Sequence, residues 1–363
     1  MNRKKFSKAD YPALLGVTEI CRADDRDIWR LLVSPIAKGL LGPIVERIDP
    51  TVMETVAGRF PGDEVSNLND HRLHGGQVGF VRFPYVHNFY RTENGAFIVK
   101  RDLVKVEVLC WFGDVLKGKG ELILKAALRD RRFDGTSRAN DTALLDYRYD
   151  DPVLHKRISD KLKSVEISIY AYMPGSRIAD IVGDSEFEEF VKYPFRFLDK
   201  PEQFLKHFET VWKSKRAPGQ FAFPIPDVAN GVLAGFCAIA RKCGYDIIEA
   251  APSHYHVCRW LQAYGYGFRY AYDGSTFQAL TSGLEAVRKA GHPLTRAQQS
   301  WVCVVQSLKP VELVPEHLRL GGPVWPQDNI SDRCLWLYRP ISDLARREFQ
   351  VVNSTFAASC TDA

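Results

Sequence analysis

The eight cysteines, at positions 21, 110, 237, 243, 258, 303, 334 and 360, contain no C-x-x-C pair. In a chain of 363 residues that scatter argues against a disulfide framework and predicts reduced, mostly buried thiols in a cytoplasmic setting. Long apolar runs are missing too. The longest, Gly231–Ala240, is about half of what a helix needs to span a bilayer, so no membrane partner is expected. The opening MNRKKFSKADY is basic, yet no apolar segment follows it, which excludes a secretory signal from the reading. One-sided charge is also absent. Lys and Arg number 49 against 44 Asp and Glu, a net +5 over 41.2 kDa. This balance permits an anionic ligand and does not indicate nucleic acid, which calls for denser basic clustering.

What is present fits an ordinary globular protein with 45% hydrophobic and 26% charged residues. The length predicts two or three domains. Periodicity suggests an α/β protein with mixed, mostly antiparallel sheet flanked by helices. Residues 1–12 read as a flexible arm, 13–175 and 176–341 as two modules, and 342–363 as a tail.

The stretch that organises the first module is Leu103–Asp130. Val104, Val106 and Val108 alternate with Lys105 and Glu107 as in a strand. From Glu121 onward, strong helix formers with Leu124/Leu128 and Ile123/Ala127 four apart predict a helix. Between them Gly118 and Gly120 lie among Lys117 and Lys119. A glycine turn opening a helix presents backbone N–H groups and a positive dipole end to phosphate. The ordinary alternative is a connecting turn with two solvated lysines. Further along, 36–48 is expected to be helical, Val165–Met173 an alternating strand, Gly231–Lys242 a helix, Tyr245–Ala250 a strand, and Trp301–Leu308 a strand.

The order of elements, with three local segments, resembles the GCN5-related N-acetyltransferase (GNAT) family. VTEICRADDRDIWRLL (17–32) is similar to that family's opening strand and helix. LKGKGELILKAAL (116–128) resembles its acyl-CoA pyrophosphate loop, with Gly118 and Gly120 at the two small positions and Val115 where Gln or Arg is usual. DPVLHKRISDKLKSVEIS (151–168) is similar to the closing helix and strand. In the second module Gly231–Phe268 partly repeats the theme and ends on Gly267-Phe268, as the family does. The resemblance implies an acyltransferase using acetyl-CoA or another acyl-CoA on an amine of an acceptor of unknown size. It implies that Lys117, Gly118, Lys119, Gly120, Glu121 and Leu122 hold the pyrophosphate, and that a Gly118→Asp change abolishes cofactor binding. Candidate groups for proton transfer are Glu107, Asp146, His254 and Tyr264, the last near the place of the family's tyrosine acid.

Other chemistries draw on the same residues. GDVLKGKG (113–120) matches a nucleotide-binding P-loop except that Gly120 replaces the magnesium-ligating hydroxyl, and ALLD (143–146) suits a Walker B strand. His71, His74 and His87, or His254, His256 and Cys258, give incomplete metal sets, so no metal is assigned. The many tyrosines and phenylalanines also suit a non-enzymatic binding or assembly protein.

Overall fold

A computed structural model describes residues 19–48, 86–101, 105–130, 162–177, 184–268, 271–326 and 334–347. Helices α1 (Asp25–Ile28) and α2 (Ser34–Leu41), joined by a π-helical turn at Trp29–Val33, come first. Strands β1 (Ile44–Ile48), β2 (Val86–Thr92), β3 (Gly95–Arg101), β4 (Lys105–Asp114), β5 (Lys119–Arg129) and β6 (Ser164–Arg177) follow. Then come α3 (Ser185–Lys192), α4 (Pro201–Ser214), β7 (Ala222–Pro224), α5 (Val228–Lys242), β8 (Ile247–Ala250) and α6 (Tyr255–Ala263). The order closes with β9 (Gly267–Phe268), α7 (Ala271–Lys289), α8 (Arg296–Val305) and β10 (Leu337–Pro340).

The described residues form two compact units. One takes the residues up to Gly175, Pro224–Glu249 and those from Pro340 on. The other takes Ser176–Phe223 and Ala250–Arg339. The chain thus leaves the first unit near residue 175 and returns to it for α5 and β8.

The first unit is a large open sheet in the order β1-β2-β3-β4-β5-β6-β8. Its neighbours are antiparallel except for β6 and β8, which run parallel. One face carries Phe97, Val99, Val106, Val108 and Cys110, all fully buried, and Trp29 meets Phe97 edge-on at 5.1 Å. Helix α5 lies close against the first helices because it carries glycine there. A Cβ on Gly235 would come 2.2 Å from the Leu31 carbonyl oxygen, and one on Gly231 3.0 Å from Pro35. Asp24 caps α1 through the Arg26 amide at 2.7 Å. Asp25 gathers Tyr90 (2.6 Å), Asn88 (2.7 Å) and Arg101, binding α1 to β2 and β3.

The helix expected from Glu121 is strand β5. Lys119–Arg129 pairs with β4 along its whole length, Glu107 opposite Ala127 and Gly113 opposite Gly120. Leu124, Ala126 and Leu128 are buried on one face, Ile123 and Ala127 on the other. A strand buried on both faces has no polar alternation to show, and cross-strand burial outweighs the helix propensity of Leu, Lys and Ala. Two other segments also differ. Helix α2 stops at Leu41, where Gly42 turns at φ +69°, and 44–48 is an edge strand. Residues 301–305 belong to α8, started by a Thr295/Gln298 capping box.

The second unit is mainly helical. Phe190 stacks on Trp301 at 5.3 Å and meets Phe204 edge-on at 5.2 Å, joining α3, α4 and α8. Strands β9 and β10 form a short antiparallel pair. No helix among the described residues is long and apolar enough to cross a membrane.

Candidate functional site

In the first unit the parallel contact of β6 with β8 covers Ser164–Glu166 against Ile247–Glu249. Strand β8 stops at Ala250, while β6 continues to Arg177. Past Glu166 the two strands share no register, so Ile167–Ile169 runs on beyond the pairing with β8, and the short β7 also pairs with β6. Helix α5 returns the chain to the start of β8. Its N-terminus therefore lies toward the carboxyl ends of both strands, where ligands of open α/β sheets are commonly bound. That terminus has no side-chain cap: Asp227 sits in the left-handed region (φ 55°) and makes no capping bond to the first turn.

The last paired position sets two carboxylates side by side, because directly opposed residues point to the same face. Glu249 is 1% exposed and Glu166 is half-buried. Across the sheet the same row continues as Glu166 opposite Arg129, and Arg129 opposite Lys105. Within the row only Glu166 and Arg129 are neighbours of opposite sign, and that pair supports the register, while Glu249 beside Glu166 and Lys105 beside Arg129 set like charges together. Sequence periodicity shows each of these strands but not their partnership. The signal for Glu166 was its place in the alternation of Val165–Met173.

The residues expected at a site from sequence are dispersed. Glu107 is 5% exposed on β4, its Oε1 receiving Lys105 Nζ at 3.0 Å and Lys125 Nζ at 3.1 Å. Burial opposes ionisation, yet the two ammonium groups hold its carboxyl below the usual range. Two of the three lysines around it are engaged on it, which suits a structural anion better than a base. Lys100, opposite Glu107 and 3% exposed, has its ammonium pulled down to about 8 by desolvation. Asp146 lies outside the described residues, as do His71 and His74.

Lys117–Leu122 forms the β4–β5 turn and the start of β5, so neither a pyrophosphate loop nor a P-loop opens a helix there. Lys117 is exposed and pairs with Asp114 at 3.0 Å. Gly118 turns at φ +69° with open space around it, and Gly120 is pressed against Val115. Lys119 opposes Asp114, Glu121 accepts the Gly175 amide at 2.8 Å, and Leu122 packs on the apolar cluster of Phe89, Ile98 and Trp111. Glu107 is six residues down the strand from Gly113, about 20 Å away, so the hairpin does not bring the two together.

His254 and Tyr264 belong to the second unit. His254 precedes α6, 5% exposed, stacked between Phe195 (5.8 Å) and His256 (5.9 Å). Its Nδ1 makes no hydrogen bond among the described residues, and burial holds the ring well below its ordinary pKa. His256 Nδ1 meets Ser300 Oγ at 2.9 Å. Tyr264 ends α6 against Trp260. Comparison of the chain with protein-family models, with curated proteins and with solved structures returns no match.

Proposed function

We propose that the chain is an acyl-CoA-dependent N-acyltransferase of GNAT-like build whose site lies at the divergence of β6 and β8. The observation that carries this reading is the parallel register that ends at Glu166–Glu249 while β6 runs on. The GNAT resemblance implies a splayed strand beside the thioester and a helix start at the pyrophosphate. In this chain the pair β6/β8 and the uncapped start of α5 fit those parts, later in sequence than the glycine turn.

Backbone amides at Val228–Gly231 suit the pyrophosphate, since a helix start carries unpaired donors and a positive dipole end. The stretch Ile167–Ile169, beyond the pairing with β8, suits the amides of the cofactor's arm. Acyl-CoA, when bound, supplies the activated acyl group. The residues of the chain orient the acceptor amine and remove its proton. Glu166, half-buried at the last paired position, is the base the amine meets, and buried Glu249 beside it is a positioning group.

Thermal-shift titration with acetyl-CoA, longer acyl-CoAs and Mg-ATP tests the reading. A ligand that binds only the native state raises Tm as its concentration exceeds Kd. Stabilisation by acyl-CoA and not by Mg-ATP supports it. A flat response to every acyl-CoA removes it.

A further inference from the structure

The turn ends of β2–β3 and β4–β5 line a half-open cavity of about 530 Å³, within the size range of small-molecule pockets. We infer that it is a binding site for an amphiphilic monoanion, an aliphatic or aromatic carboxylate. Phe89, Ala96, Phe112, Val115 and Leu116 give it apolar walls. Phe89, Ala96 and Val115 belong to a buried cluster with Ile98, Leu109 and Trp111, so that side is already held in place.

Its walls are tied to one another. The Gly113 amide donates to the Asn94 carbonyl at 2.7 Å, linking the two turns, and the Asn94 amide donates to Leu41 at 2.9 Å. Gly95 is needed for this approach, because a Cβ there would lie 1.9 Å from the Trp111 carbonyl oxygen. A cavity between tied turns loses little freedom when it is filled.

The charges sort themselves by prior engagement. Asp114 accepts both the Lys117 amide (3.2 Å) and the Lys117 ammonium (3.0 Å), which closes the turn. The Glu93 carboxylate lies against Gly42. Among the described residues Arg91 pairs with Glu46, at 3.0 Å, with both side chains about half exposed. Exposed pairs of this kind contribute little, so the guanidinium can turn to a carboxylate at the rim and bind it in two-pronged fashion. Thr92 is the next residue on β2 and so points to the opposite face, 3% exposed with its hydroxyl shut off from solvent, which leaves Arg91 as the polar contact at the rim.

The site is independent of the acyltransferase reading, so its test omits acyl-CoA. Isothermal titration with octanoate, octan-1-ol and octylammonium is run on the full chain and on Arg91→Gln. Saturable octanoate binding is expected, with octanol about tenfold weaker and octylammonium weaker still. Arg91→Gln should bring octanoate down to the level of octanol without changing octanol. Arg91 is exposed, so its replacement leaves the fold intact, and an unchanged melting curve checks this. Non-saturable octanoate binding, equal binding of octylammonium, or an Arg91→Gln protein that binds octanoate as the parent does would each overturn the proposal.

Discussion

The hydroxyl of Tyr245 donates a 2.9 Å hydrogen bond to Asp130, and both residues are almost wholly buried. The same oxygen accepts the Ile20 amide at 3.2 Å. One phenol therefore joins the end of β5, the turn before β8 and the segment ahead of α1. Tyr245→Phe keeps the ring, removes a donor from a buried carboxylate and leaves the amide short of an acceptor. It should cost about 1–3 kcal/mol, measured as a lower urea midpoint with an unchanged slope.

Acid should act on the second unit before it acts on the first. Burial pushes His256 down to about 4 and His254 well below 6.5. A histidine depressed in the folded state contributes its full stability above the unfolded pKa. That contribution is lost as pH falls below 6.5 toward the folded value. Each ring contributes a slope of about 1.4 kcal/mol per pH unit in that window. Urea unfolding of the second unit at pH 7, 6 and 5 should follow it, and His256→Gln should remove one proton's share. A midpoint constant from pH 7 to 5 would contradict this.

Lys100 works in the opposite range. Its ammonium titrates near 8 in the fold and near 10.5 when exposed. The unfolded chain holds the proton more tightly, so stability rises as pH increases from 8 toward 10.5. Lys100→Met should abolish that rise in a chemical-denaturation series.

The β4–β5 hairpin makes a sharp distinction between glycines. Gly118 has open space around it and a left-handed φ, so Gly118→Asp should cost about 1 kcal/mol and leave acyl-CoA affinity unchanged. Gly95→Ala forces a methyl group into the Trp111 carbonyl and should unfold the sheet end, a loss of about 4 kcal/mol or more. Melting curves and acyl-CoA titrations of the two variants check both outcomes.

At the proposed centre, Glu166→Gln should lower kcat by about 10²–10⁴ with acyl-CoA binding retained, since general-base catalysis contributes on that order. It should also erase the acidic limb of the pH–rate profile. Retention of that limb would show that another group takes the proton.

Much of this framework was legible in the sequence as separate pieces. The alternation of Val165–Met173, the helix at 231–242 and the strand at 245–250 read correctly from period and composition. Their partnership did not, because Ser176–Phe223 separates β6 from α5 and lies in the other unit. Lys119–Arg129 was misread for a different reason. Its leucines and alanines are good helix formers, and with both faces buried it shows no two-residue period to overrule them. The candidate site moved accordingly, from the glycine turn to the β6/β8 fork.

The seam of the first unit also sets a timetable for synthesis. The Asp246 carbonyl, just ahead of β8, receives the amides of Ile341 (2.8 Å) and Ser342 (3.2 Å). A nascent chain reaches Ile341 about 5–20 s after Asp246, at ordinary rates of translation. Until then β8 waits on the ribosome with its closing segment unmade. In that interval the longer piece of the second unit, Ala250–Arg339, emerges between the two halves of the seam, and assembly of the first is governed by the last residues delivered rather than the first.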